Sequence, residues 1–300
     1  MNEPDGWNIV SGAGITALMV AAARAVESTR DDALIDDPYA ESFVRRSGIT
    51  VPLPTRWSTL NDSENQSEAD QQWTSFWTVT AGYLGVRSRF FDEYFRDAFT
   101  AGVRQVVLLA AGLDTRAFRL SWPEHVELFE IDQPKVLEFK DSVLAEQGAR
   151  ANCARHVVPI DLRADWPEAL HHASFDPARP TAWLAEGLIP YLPGTAVEAL
   201  LGHVHRLSAV SSWFAVEEAG PDIHNRAHNP AFQDIDRRLG FAMAALWPDD
   251  DRPDLEQWLR DANWQVMAIS RAQAADRYGR TLGKLGGDTF TGTLLTARLT

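Results

Sequence analysis

Apolar side chains recur at spacings of three and four through the first hundred residues, a pattern that predicts helices. Ile15 to Val26 is apolar and alanine-rich, and Asp31-Asp32 breaks the pattern. Asp37-Pro38-Tyr39 sets a proline where a second helix can begin, running through Phe43 and Val44. Residues 48–72 are poor in apolar side chains and rich in Ser, Asn, Asp, Gln and Pro, the composition of a mobile loop. Trp73 to Phe99 then carries Phe76, Trp77, Val79, Tyr83, Val86, Phe90 and Phe91 at helical spacing, a face that packs on a core.

The pattern changes at Val103. Gln105 to Ala111 is a short apolar run ending at Gly112, as in a strand buried on both faces. Further strands are predicted at Val126–Ile131, His156–Ile160, Thr181–Ala185 and Trp213–Val216. Helices are predicted from Pro134 to about Gln147 and from Thr195 to Leu207. Strands alternating with helices imply right-handed crossovers and a doubly wound parallel sheet. Asp254–Asp261 and Ser270–Tyr278 read as helices, and Trp264–Ile269 and Thr289–Leu299 as the closing strands. Residues 220–253 interrupt the alternation after the fifth strand, and an insertion there lies above the crevice where such sheets bind ligands. The predicted organisation is a helical N-terminal cap over residues 1–100, then a core over 101–300 with a lid at about 220–250.

Composition narrows the partners. Lys plus Arg number 28 against 42 Asp plus Glu, a formal charge of −14, which argues against gripping nucleic acid phosphates or anionic lipid. The single cysteine, Cys153, excludes an intrachain disulfide and a thiolate zinc site; it reads as a small buried side chain or as a nucleophile. No apolar run reaches a membrane span, and Glu3 and Asp5 do not suit a signal peptide, so a cytoplasmic location is expected.

Ligands of parallel sheets bind at the carboxyl ends of the strands. The first strand ends at Gly112, where a backbone can approach a ligand closely or simply turn. Leu113 to Leu120 holds no glycine, so the G-x-G-x-x-G cradle for a pyrophosphate is missing. The second strand ends at Asp132, 20 residues after Gly112, placed either to accept from ribose hydroxyls or to cap the following helix. The third ends at Asp161-Leu162, able to accept from an exocyclic amine and pack on a purine, or again to cap. The fourth ends at Glu186. Acids at three consecutive strand ends after a glycine turn suit a ligand with ribose hydroxyls, an amine and no phosphate, which describes S-adenosylmethionine better than a dinucleotide.

At these residues a resemblance becomes specific. Val107-Leu-Leu-Ala-Ala-Gly-Leu-Asp-Thr-Arg-Ala-Phe-Arg-Leu120, followed by Phe129-Glu-Ile-Asp-Gln-Pro-Lys-Val-Leu137, resembles actinobacterial S-adenosylmethionine-dependent methyltransferases related to leucine carboxyl methyltransferases. Asp37-Pro-Tyr39, Val86-Arg-Ser-Arg-Phe-Phe-Asp92, Asp161-Leu162 and Ala185-Glu-Gly-Leu-Ile-Pro-Tyr-Leu192 match in the same order. The resemblance implies a class I methyltransferase fold, Rossmann-like, with a seven-stranded mostly parallel sheet. It implies Gly112 beside the methionine part of the cofactor, Asp132 on the ribose, and Asp161 with Leu162 on the adenine. It further implies Arg87 on the cofactor carboxylate, with Arg89 as a competitor, and Glu186 near the amino group or sulfonium. Asp114 and Arg116 are expected to shape the turn.

The expected reaction is methyl transfer to an oxygen, such as a carboxylate, of a small and partly apolar acceptor. No catalytic base is assigned, because the transfer rests on holding donor and nucleophile in line and dry; a carboxylate would arrive ionised, whereas a hydroxyl would need a base such as His or Glu. A non-catalytic cofactor-binding protein and a nicotinamide oxidoreductase are the alternatives. His224 and His228 have metal-ligand spacing, but Asn229-Pro230 interrupts a helix there and no metal is expected. The lid face Phe232, Ile235, Leu239 and Met243, beside His224, Asn225 and Arg226, is expected to meet the acceptor, the alternative being that it closes onto the core.

Overall fold

In the computed structural model, residues 9–10, 13–61, 67–220, 229–285, 288–289 and 291–300 are described. The apolar runs become the strands β1 (Gln105–Leu109), β2 (Glu127–Asp132), β3 (Ala154–Pro159), β4 (Thr181–Ala185), β5 (Trp213–Ala219), β6 (Trp264–Ser270) and β9 (Gly292–Leu299). They form one sheet in the order β3-β2-β1-β4-β5-β9-β6. β1 to β5 pair in parallel, and β9 runs antiparallel to β5 and β6. Lys284–Leu285 (β7) and Asp288–Thr289 (β8) make a separate short hairpin. The winding reverses between β1 and β4, which opens a crevice at their carboxyl ends.

β1 and β4 are buried at every position, as their unbroken apolar sequences require. The polar exceptions, Gln105 and Thr181, satisfy each other across the two strands at 2.8 Å. Successive strand residues point to opposite faces. Val106, Leu108, Leu128, Leu184 and Ala215 meet the helices α1 (Ala13–Ser28), α2 (Ala40–Arg46) and α4 (Glu68–Thr100), joined by the short α3 (Ser58–Asn61). Val107, Leu109, Phe129, Trp183 and Phe214 meet the other layer. That layer contains α7 (Trp166–His172), α8 (Gly194–Arg206) and α10 (Leu255–Asp261).

The N-terminal helices do not stand apart as a cap. The connection between β1 and β2 holds only the four-residue α5 (Arg116–Arg119), too short to cover the sheet, and α4 and α1 fill that layer instead. The Tyr94 hydroxyl donates to the Trp183 carbonyl at 2.9 Å, fastening α4 to β4. α4 also begins earlier than its apolar pattern indicates. Ser67 caps it by accepting from the Asp70 amide at 3.2 Å, and the first turn is polar and therefore silent in hydrophobic spacing.

α6 (Pro134–Glu146) carries Lys140, which is fully buried and reaches Glu130 of β2 at 2.7 Å. Burial pushes the Cys153 thiol up to about 12, so it stays protonated and behaves as a packing residue. No helix among the described residues is long and apolar enough to cross a membrane. α11 (Arg271–Arg277) follows β6 and opens on a capping box of Ser270 and Gln273.

The inserted segment behaves differently from expectation. α9 (Pro230–Leu239) turns Phe232, Ile235 and Leu239 into the core beside α4, where all three are buried, and Met243 packs partly against the same cluster. This face therefore closes on the protein rather than on the crevice, because α4 offers it an uninterrupted apolar partner. His224, Asn225, Arg226 and His228 lie outside the described residues. Phe232→Ala should accordingly lower stability by about 3 kcal/mol in denaturant unfolding and leave ligand affinities nearly unchanged.

Candidate functional site

The crevice at the winding reversal has a volume of about 530 Å³, within the range of small-molecule sites. Its wall brings together Arg87, Gly112, Asp132, Asp161, Leu162 and Glu186, from α4 and from the ends of four strands. Arg89, two residues from Arg87, points away and pairs with Glu93 at 2.9 Å on a half-exposed helix face.

Gly112 turns the chain at φ +49°, a conformation that side-chain-bearing residues adopt only under strain. Its amide donates to one Asp132 carboxylate oxygen at 2.6 Å, and the Gln133 amide donates to the other at 2.7 Å. The two ends of the ligand-facing wall are thus tied together before anything binds. Burial raises the Asp132 pKa, opposed by these two amides. Asp161 is held differently. Arg163 grips both of its oxygens, from Nε at 2.9 Å and Nη2 at 2.7 Å, and these bonds hold its carboxyl below the usual range. The Arg163 side chain is 79% exposed, so it can swing aside at little cost.

The loop after β1 is anchored by the Asp37-Pro38-Tyr39 segment. Asp37 is buried, and one of its oxygens accepts from Arg24 Nε at 2.9 Å and from the Thr115 hydroxyl at 2.8 Å. Arg116 is buried as well. It donates to Asp92 and to Glu186 at 2.7 Å each, and it pairs with Asp114. Asp114 and Arg116 thus shape the turn, and Arg116 also supports a crevice wall.

From Arg116 the ion pairs continue across the crevice floor. Glu186 Oε1 accepts from Arg87 Nε at 2.7 Å, and Arg87 Nη1 donates to Glu217 Oε2 at 2.7 Å. Glu217, at the end of β5, also accepts from Arg271 Nη2 at 2.8 Å, from the Gly187 amide at 3.0 Å and from the Tyr83 hydroxyl. Burial alone would raise the Glu217 pKa, but the Arg87 and Arg271 guanidiniums hold it below the usual range. Charge-assisted bonds of this kind are short and directional, so the floor is stiff.

Reading four strand ends misses Glu217, which the same reasoning finds when carried to β5. Arg116 is visible in its motif, but its reach to Asp92 and Glu186 is not. Tyr191 and Trp247 also line the crevice, and burial raises the pKa of the Tyr191 hydroxyl. No local pattern marks Trp247 or Arg271.

The Asp114 carboxyl shows what the network does to acid stability. Burial raises its pKa, yet Arg116, Lys140, Arg24 and Arg119 together outweigh this and hold it at about 2. An acid depressed in the folded state stabilises the fold above its unfolded pKa of about 3.9, and this contribution is lost as pH falls through the folded value. Asp114→Asn should therefore be less stable than the parent above about pH 4, by up to roughly 2 kcal/mol, with the two denaturation curves converging near pH 2.

Comparison with known proteins agrees with the geometry. The family model described as leucine carboxyl methyltransferase matches residues 17–205. A Saccharopolyspora erythraea protein named "Putative S-adenosyl-L-methionine-dependent methyltransferase" is 51% identical over 266 residues, covering 89% of this chain and 88% of that one. A Mycobacterium tuberculosis protein of the same name is 44% identical over 300 residues, covering 98% and 94%. The crystal structure of a DUF574 family protein from Streptomyces avermitilis shares the fold, with a TM-score of 0.52 at 16% identity over 81% of this chain and 95% of that one. With a family match across more than half its length and relatives this similar over nearly all of it, the chain belongs to the leucine carboxyl methyltransferase family, among its S-adenosyl-L-methionine-dependent enzymes.

Proposed function

We propose that the crevice holds S-adenosylmethionine along β1, β2 and β4 and transfers its methyl group to a carboxylate oxygen of a small, partly apolar acceptor. One observation carries this reading: the six residues expected from α4 and from four separate strand ends line a single cavity. The donor set suits that cofactor. It offers carboxylates to hydroxyls and amines and a guanidinium to a carboxylate, and the wall has no glycine-rich phosphate cradle. Space is also available, since a Cβ built on Gly112 would meet nothing nearer than 3.9 Å.

In this reading Asp132 accepts from both ribose hydroxyls with the lone pairs its two backbone donors leave free. Leu162 packs on the adenine, and Asp161 accepts from its amine once Arg163 swings out. Arg87 turns Nη2, which no described residue engages, toward the amino-acid carboxylate, while Glu186 faces the ammonium. When bound, the cofactor supplies an electrophilic methyl on a sulfonium. The protein's part is to hold the acceptor oxygen in line with it and to exclude water. A carboxylate needs no base for this step, in keeping with a floor whose acids are all engaged by arginines. Trp247, from the inserted segment, and Tyr191 form the cover on the acceptor side. This is the part of the lid idea that the crevice wall supports.

Two measurements test the reading. Asp132→Ala should weaken S-adenosylhomocysteine binding by about 2–4 kcal/mol in calorimetry, with Asp132→Asn keeping part of the affinity; unchanged binding contradicts the ribose role. Label passed from methyl-labelled cofactor into a metabolite extract should be released as methanol by mild alkali, as from a methyl ester. Label stable to alkali would mean an ether or amine product and would exclude the carboxylate.

A further inference from the structure

We infer that Arg271 is the acceptor-recognition residue of this enzyme, binding the carboxylate of an acceptor whose remaining body is apolar. The inference rests on the methyl-transfer reading above and concerns the part of the crevice at the end of β5.

The ion pairs of the floor alternate in sign along one chain: Arg271, Glu217, Arg87, Glu186, Arg116, Asp92, Arg119. Every interior member is held by neighbours of opposite charge on both sides. The two ends differ. Arg119 grips both oxygens of Asp92, at 2.7 and 2.9 Å, and is not part of the crevice wall. Arg271 lines the crevice and is only 5% exposed, yet among the described residues Glu217 alone accepts a hydrogen bond from it. Its Nε, like that of Arg119, is buried without a partner among the described residues, so what distinguishes Arg271 is that it lines the crevice. A guanidinium has five N–H donors, and burying them unpaired is costly unless something else accepts. Glu217 cannot meet that demand, because it is already shared with Arg87, Tyr83 and the Gly187 amide.

The surroundings are built for this side chain. The guanidinium lies over the Tyr83 ring, 4.3 Å from its centre, which fixes its plane. It passes beside Gly292, which sits at φ +144°; a Cβ there would lie 2.6 Å from Nε, so the glycine makes the room. A planar, pre-oriented guanidinium with unfilled donors matches a carboxylate, with which it forms paired bonds. Leu188, Pro190 and Trp247 give the same crevice apolar wall, which suits an acceptor whose body is hydrocarbon. Glu217, Trp247 and Arg271 all lie beyond residue 205, where the family match ends.

The test uses the full-length protein saturated with S-adenosylhomocysteine, titrated calorimetrically with straight-chain monocarboxylates from acetate to dodecanoate and with the matching primary alcohols. S-adenosylhomocysteine affinity of the parent, measured first, tests the donor site by itself. The acids should bind the parent complex, more tightly as the chain lengthens, and the alcohols should bind at least about tenfold more weakly. Arg271→Gln should lose about 30-fold or more in acid affinity while its S-adenosylhomocysteine affinity stays within about twofold of the parent. Arg271→Lys, which keeps the charge without the fork, should fall between, and its folding guards against a merely structural loss. Equal acid binding by Arg271→Gln, or no acid bound by the parent complex, would overturn the inference. So would a parallel loss of S-adenosylhomocysteine affinity, which would place Arg271 on the donor.

Discussion

Burying charge beneath a ligand site is tolerated only where each charge meets its opposite, and here that requirement organises the whole crevice. Glu186 and Glu217 stand at the ends of β4 and β5, and Arg87 of α4 binds both. Arg116 joins this pair to the loop after β1, and Asp37 joins that loop to α1. Removing one member would leave its neighbours buried with one partner fewer, so the elements hold a single arrangement. A methyltransferase benefits directly, because its rate depends on holding donor and acceptor in line, and a stiff floor holds that geometry.

The centre of the sheet was legible because β1 and β4 are buried on both faces and must be largely apolar, as in Val106 to Leu109 and Ala182 to Ala185. The strand-end part of the crevice wall was legible for a related reason: Gly112, Asp132, Asp161 and Glu186 sit immediately after apolar runs. A glycine turn, an acid twenty residues on and two further acids form a pattern that local reading can see. Arg87 came from the resemblance, and the structure separates it from Arg89 by burial.

What stayed hidden depends on contacts far apart in sequence. The spacing of Phe76, Tyr83 and Phe90 shows that α4 has an apolar face, but not that the face serves as a sheet layer in place of a missing crossover helix. The apolar stripe of α9 was equally ambiguous. Phe232 and Ile235 fit a substrate lid and a core contact alike, and α4 settles the matter by burying them. Arg271 shows no signal at all until α11 is folded against β5, more than fifty residues earlier in the chain.

The most direct test of the central claim is a crystal structure of the protein with S-adenosylhomocysteine bound. The account predicts the ribose on Asp132, the adenine against Leu162 with Arg163 turned away from Asp161, the amino-acid carboxylate on Arg87, and open space between the sulfur and Arg271. A ligand seated with its carboxylate on Arg271, or bound outside the crevice, would contradict it.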